Sequence, residues 1–168
     1  FHELSSKESE LIYDDDKVSV HTVPLDHRVY TNGFLFKEKP FERKLDIQKA
    51  EALHIDKAYF RKLKQGQDVV NNDGTLIPNA EVTFEGHQPK SYVFCSDTAY
   101  KEDIIPIIKD VDVLYHESTF LDVHQHLCAK TKHSTAKQAA TIALKANVKQ
   151  LILGHYSTRY GTLEGFKS

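Results

Sequence analysis

Short apolar runs broken by polar turns fill the first quarter of the chain. Glu10-Leu11-Ile12-Tyr13 and Val18 to Val23 flank the carboxylate triplet Asp14-Asp15-Asp16, a pattern that predicts two strands joined by a turn, with Pro24 ending the second. After the polar Asp26-His27-Arg28, Gly33-Phe34-Leu35-Phe36 resumes as a short strand. From Lys37 onward the pattern fits a pair of short solvated helices, then the turn signal Asn71-Asn72-Asp73-Gly74, after which Thr75 to Pro78 can pair back as a hairpin strand. The second half alternates regularly. Ser91 to Cys95 reads as a strand, and Lys101 to Asp110 as a short helix with Pro106 about one turn inside it. Val111 to Tyr115 is the next strand, Ser134 to Asn147 an alanine-rich helix capped by Ser134, and Val148 to Leu153 the last strand. Strand and helix in alternation predict an α/β layer.

Composition changes this picture in three ways. At 168 residues and 40% apolar content, the chain has material for one respectable core. Net charge is −2, yet the stretch from Lys37 to Lys64 holds nine basic side chains against five acidic ones. Such asymmetry suits an electrostatic docking segment for a phosphate backbone, or simply a solvated helical face. The two cysteines, Cys95 and Cys128, lack metal-type pairing and suit buried thiols in a reducing cytoplasm. No apolar run approaches the roughly 18 residues that span a bilayer, and the first residues do not form a signal peptide. The absence of methionine is read as the mark of a fragment.

The chemistry lies at the strand ends. Ser96-Asp97-Thr98 and Gly154-His155-Tyr156 each follow an apolar run, and His133-Ser134-Thr135 precedes the clearest helix. Singly, Asp97 could cap a helix, His155 could be a core histidine, and His133 could be a helix-flanking residue. Side chains at the carboxyl ends of strands in an open α/β layer converge on one crevice, however. One carboxylate and two imidazoles gathered there are ingredients of a metal-dependent hydrolytic site.

The same segments carry a resemblance. His133-Ser134-Thr135-Ala136 with Gln138-Ala139-Ala140, then Gly154-His155-Tyr156-Ser157-Thr158-Arg159-Tyr160, resemble the last two signature segments of the ribonuclease Z family. These are tRNA 3′-end endonucleases of the metallo-β-lactamase fold. Ser96-Asp97-Thr98 is similar to the family's aspartate motif and His116-Glu117-Ser118-Thr119-Phe120 to its HEAT-type loop. Asp26-His27-Arg28, followed by Gly33-Phe34-Leu35-Phe36, is similar to its middle histidine motif. The matches run from about Val20 to Tyr160 in family order.

The resemblance implies a partial metallo-β-lactamase fold, an αββα sandwich lacking its N-terminal part. Residues 1–36 would form core strands, 37–79 an inserted basic arm that grips tRNA, and 80–168 the second αβ half. It implies a zinc-dependent endoribonuclease cleaving precursor tRNA 3′ of the discriminator nucleotide, cytoplasmic, homodimeric and not membrane-bound. His27 and His155 would be terminal ligands on each of two zinc ions, with Asp97 bridging both. His133, supported by Glu117, would stabilise or protonate the departing oxygen, and Arg159 would contact the scissile phosphate. The family's first metal motif, His-x-His-x-Asp-His, does not occur here, and the glycine- and proline-rich tip of the arm is absent too. The chain is therefore expected to be the C-terminal part of such an enzyme, with weak or no zinc, no activity alone, and exposed strand edges that favour dimers. Two alternatives stay open: another phosphodiesterase of the same fold, and a non-catalytic tRNA-binding or dimerisation module. His124 and His126 have spacing that fits nothing specific, His87 reads as a loop residue, and His116 as a strand-end packing residue.

Overall fold

The structure, a computed structural model, describes residues 3–166. In chain order its elements are β1 (Leu11–Asp14), β2 (Val18–Pro24), β3 (Asn32–Glu38), β4 (Lys44–Leu45), α1 (Ile47–Ala52), α2 (Phe60–Lys64), β5 (Val69–Val70), β6 (Leu76–Ile77), α3 (Asn79–Val82), β7 (Thr83–Phe84), β8 (Ser91–Cys95), β9 (Val113–Glu117), α4 (Cys128–Thr131), α5 (Ala136–Lys145) and β10 (Gln150–Gly154). Two compact units result. One joins residues up to Glu38 with those from Lys90 onward, and the other is Lys39–Pro89.

The first unit is a mixed sheet in the order β1-β2-β3-β8-β9-β10. β1, β2, β3 and β8 pair antiparallel in succession, whereas β8, β9 and β10 run parallel. Alternation along the strands separates two faces. Val23, Leu35, Val93, Cys95 and Leu114 point to a core closed by Ile104, Ile108, Val111, Ile142, Ala143 and Ala146. On the opposite face Phe36, Tyr92, Phe94 and Ile152 remain 36–42% exposed, and Phe94 stacks on Tyr115 with ring centroids 4.8 Å apart. Gly33 sits where β3 meets β8, and a methyl group there would come within 2.4 Å of the Phe94 carbonyl, so this strand pair needs glycine. Gly33→Ala is expected to cost about 1–3 kcal/mol by overpacking, read as a lower urea midpoint with an unchanged m-value.

Helix α5 differs from the sequence expectation at its start. Thr135, not Ser134, is the N-cap, accepting from the Gln138 N–H while the Gln138 side chain accepts from the Thr135 N–H, a reciprocal capping box. Ser134 turns inward instead. The helix expected over 101–110 is reduced to a 3₁₀ turn at Glu102–Ile104 followed by further turns. Pro106 supplies no N–H to extend it, and Ile104 and Ile108 are nevertheless buried.

At the end of the sheet opposite the strand carboxyl termini, Asp112 accepts from the Ser91 N–H (2.8 Å), the Ser91 hydroxyl (3.0 Å) and the Lys149 ammonium (2.8 Å). The Lys149 hydrogen bond, followed by those from Ser91, holds this carboxyl well below the usual carboxylate range. A depressed folded-state value means stabilisation present above the unfolded value near 4 and lost as pH falls through the folded one. Asp112→Asn should therefore cost about 1–2 kcal/mol at neutral pH. Thermal melts of wild type and variant should converge on acidification below about pH 4.

The second unit has its own small core of Ala50, Ile55, Leu63, Val69, Ile77 and Val82. Asp46 caps α1 through the Lys49 N–H, β5 pairs with β6 across the Asn71–Gly74 turn, and β4 with β7. The β4–β7 pairing closes the unit, which ends at Pro89 rather than at the expected 79.

Candidate active site

Because β8, β9 and β10 are parallel neighbours, their carboxyl ends lie side by side, with Cys95 paired to His116 and Glu117 to Gly154. Asp97, Glu117 and His155 occupy these ends. Asp97 (φ 59°) and His155 (φ 57°) are both left-handed, as is Lys132 (φ 62°) immediately before His133. Non-glycine residues reach this region at a cost of order 1–3 kcal/mol, and such strain gathers at functional sites. No helix follows Asp97 directly, so it is not a cap.

Three imidazoles come together here. The His133 ring lies 5.2 Å from both the His27 and His155 rings. In each, Nδ1 is already engaged: His27 with the Lys132 carbonyl (3.0 Å), His133 with Glu117 Oε1 (2.8 Å), His155 with Thr119 Oγ1 (2.9 Å). A carbonyl or carboxylate can only accept, so Nδ1 of His27 and of His133 carries the proton. The Nε2 nitrogens are left for other work. Nε2 of His155 stands 3.1 Å from Asp97 Oδ1.

Glu117 organises this arrangement from beneath. It is fully buried, yet its carboxylate accepts from the Thr98 N–H (2.6 Å), the Ser134 N–H (3.1 Å), the Thr119 hydroxyl (2.5 Å) and His133. A buried carboxylate persists only with such compensation. Lys132 adds a second tie, because its ammonium pairs with Asp26 at 2.8 Å while its carbonyl holds the adjacent His27.

Arg159 lies with its guanidinium 5.3 Å from the centroid of the Phe120 ring, which meets His133 edge-on at 6.5 Å. His124 is engaged through Nδ1 with the Tyr160 hydroxyl at 2.8 Å and belongs to no metal-capable group among the described residues. His116 is buried, and burial pushes its imidazole down, keeping it neutral. Cys95 is buried too, its thiol pushed up to about 12, which removes it as a nucleophile or thiolate ligand.

No family model matches the chain. It is 41% identical over 164 residues to the ribonuclease Z of Porphyromonas gingivalis W83, covering 98% of this chain and 54% of that protein. To the ribonuclease Z of Cytophaga hutchinsonii it is 45% identical over 164 residues, covering 97% and 52%. The chain is a ribonuclease Z homologue. It spans about half the length of the curated relatives it matches. Among solved structures, the short form of human tRNase Z aligns with a TM-score of 0.55 at 20% identity, over 92% of this chain and 42% of that one. The metallo-β-lactamase fold protein YhfI from Bacillus subtilis aligns with a TM-score of 0.57 at 14% identity, over 94% and 44%. The architecture is thus a mixed α/β portion of the metallo-β-lactamase fold, as the motifs implied.

For a ribonuclease Z homologue the donor chemistry is informative. Potential ligand atoms of Asp97, Glu117, His133 and His155 all lie within 4.8 Å of one another. Both Glu117 oxygens are consumed by internal donors, and His133 faces Glu117, which leaves Asp97 and His155, with His27 flanking the group on the His133 side. Imidazole nitrogen with carboxylate oxygen is a donor set that zinc accepts. Sequence reasoning missed Thr119 and Lys132. A lone hydroxyl or lysine in a loop has no periodicity to mark it, although Thr119 stands just two residues beyond Glu117.

Proposed function

We propose that this chain is the part of a zinc-dependent endoribonuclease that carries its proton donor and part of its metal site, acting on precursor tRNA 3′ of the discriminator nucleotide. The observation that carries the reading is the grouping of His133 and His155 with Asp97 beside buried Glu117, with the His27 ring against that of His133 and Nδ1 of all three imidazoles engaged. His27 and His155 would hold metal through Nε2, and Asp97 would bridge two ions. When bound, the ions supply ionised water at neutral pH and neutralise charge on the phosphate.

The chain's own groups do the rest. Glu117 accepts from Nδ1 of His133, which fixes the orientation of the ring. Nε2 of that ring would then pass a proton to the departing 3′ oxygen of the tRNA. Arg159, its planar fork steadied on Phe120, binds non-bridging oxygens of the scissile phosphate. With Asp97, His27 and His155 as the protein donors to two ions, each ion is underligated, so this chain alone is expected to bind zinc weakly and to lack activity. The exposed aromatic face supports self-association, with a homodimer as the working form, and two unpaired buried thiols suit a cytoplasmic protein. Among the described residues no helix is long and apolar enough to cross a membrane.

The Lys39–Pro89 unit is assigned to tRNA binding on its Lys39 to Lys64 stretch, where eight basic side chains stand against four acidic ones, although the unit as a whole is balanced at eight against eight. Its excision is practicable, because the Glu38 N–H donates to the Lys90 carbonyl at 2.9 Å and the flanking ends already meet. In the complete gene product, replacing residues 39–89 by a two-glycine bridge should abolish tRNA cleavage while a small chromogenic phosphodiester is still hydrolysed. Unimpaired tRNA cleavage would contradict the assignment of this unit to tRNA binding, whereas an intact gene product that hydrolyses the small diester and leaves precursor tRNA uncut would favour another phosphodiesterase of this fold.

A further inference from the structure

We propose that Thr119 is a positioning residue that links Glu117 to His155, so that one buried carboxylate sets the ring orientation of both His133 and His155. The inference deepens the proposed function and rests on it for the role of His155 as a ligand.

The geometry leaves little freedom. Thr119 Oγ1 lies 2.5 Å from Glu117 Oε2, 2.9 Å from Nδ1 of His155 and 3.1 Å from the His155 carbonyl. A hydroxyl has one proton to give and two lone pairs with which to accept. The proton goes to the carboxylate, the shortest contact and the charged acceptor. Oγ1 must then accept from Nδ1 of His155, which directs Nε2 to Asp97, 3.1 Å away. Histidines that ligate metals commonly hold their second nitrogen in this way, and losing that partner typically weakens metal binding about 10–100-fold.

Backbone bonds bring the hydroxyl to this point. The Ser118 N–H donates to the Gly154 carbonyl at 2.8 Å and the Ser157 N–H to the Thr119 carbonyl at 3.1 Å, so the loop after β9 is stitched to the loop after β10 on both sides of His155. Thr119 is 7% exposed, which keeps water from substituting for its oxygen. His155 is left-handed at φ 57°, a conformation that local preference does not maintain and that a side-chain tether helps hold. Glu117 therefore reaches His133 directly through Oε1 and His155 through Thr119 and Oε2.

Two readouts test the inference on the chain as it stands, in wild type, Thr119→Val and Thr119→Ser. The first is long-range ¹⁵N–¹H correlation of the histidine ring nitrogens without metal. Wild type and Thr119→Ser should show a protonated, hydrogen-bonded His155 Nδ1, and Thr119→Val should shift the ring toward the Nε2–H form. The second is zinc affinity by competition with a chromogenic chelator. Thr119→Val should bind roughly 10–100-fold more weakly than wild type, with Thr119→Ser within about threefold. An unprotonated His155 Nδ1 in the wild type overturns the proposal even if the valine variant fails to fold. So does a folded valine variant with wild-type zinc affinity. If the complete gene product takes up no zinc while Nδ1 behaves as stated, the metal role of His155 fails and the Thr119 link stands.

Discussion

Glu117→Ala should be the most damaging single substitution in the chain, lowering stability by about 3–5 kcal/mol. The carboxylate is fully buried and accepts from three backbone N–H groups, a hydroxyl and an imidazole. Alanine strands the Thr98 and Ser134 N–H donors without water, and each unsatisfied buried donor costs about 1–3 kcal/mol. It also removes the anion that pairs with His133, leaves a cavity, and frees Thr119 from its acceptor. For a domain of this size the loss corresponds to a melting point lower by roughly 6–20 °C. Glu117→Gln should cost less, because its amide oxygen still serves one set of donors, either Thr98 with His133 or Ser134 with Thr119, while its NH₂ faces the other set. A calorimetric scan of the three proteins checks the order: wild type, then glutamine, then alanine. An alanine variant within about 1 kcal/mol of wild type would mean that water or a shifted loop satisfies these donors.

His133→Ala should separate chemistry from binding. Its Nδ1 is engaged by Glu117 and the ring lies between His27 and His155, so its free nitrogen is the one suited to passing a proton. A positioned general acid contributes about 10²–10⁴-fold, and single-turnover cleavage of precursor tRNA by the complete gene product should fall by that factor. Affinity for the precursor should stay within about twofold, since phosphate contacts elsewhere dominate it. A loss of affinity equal to the loss of rate would refute a role in proton transfer.

Much of this was legible in the sequence for identifiable reasons. The parallel strands β8, β9 and β10 each carry an apolar run, and parallel strands must present their carboxyl ends together, so Asp97 and His155 could be grouped before any coordinates. Helix α5 announced itself by alanine content, while its cap did not. Ser134 and Thr135 are both good caps by type, but Ser134 is committed elsewhere, its hydroxyl donating to the Thr98 carbonyl and its N–H to Glu117. The segment after Lys101 misled because Ile104, Ile107 and Ile108 have helical spacing, whereas Pro106 limits them to turns. The roles of Thr119, a residue of the quoted loop, and of Lys132 were not legible for a different reason. Their roles come from where two loops are stitched together, which is tertiary information that no local pattern carries.

The account stands or falls on where metal binds. Crystals of the complete gene product grown with zinc, with anomalous data collected on either side of the zinc edge, give the most direct answer. The expected result is density within about 2.0–2.2 Å of Nε2 of His155, of Nε2 of His27 and of an Asp97 oxygen, with Glu117 unligated beneath. Zinc bound instead at His124 and His126, or no density between residues 27, 97 and 155, would contradict it.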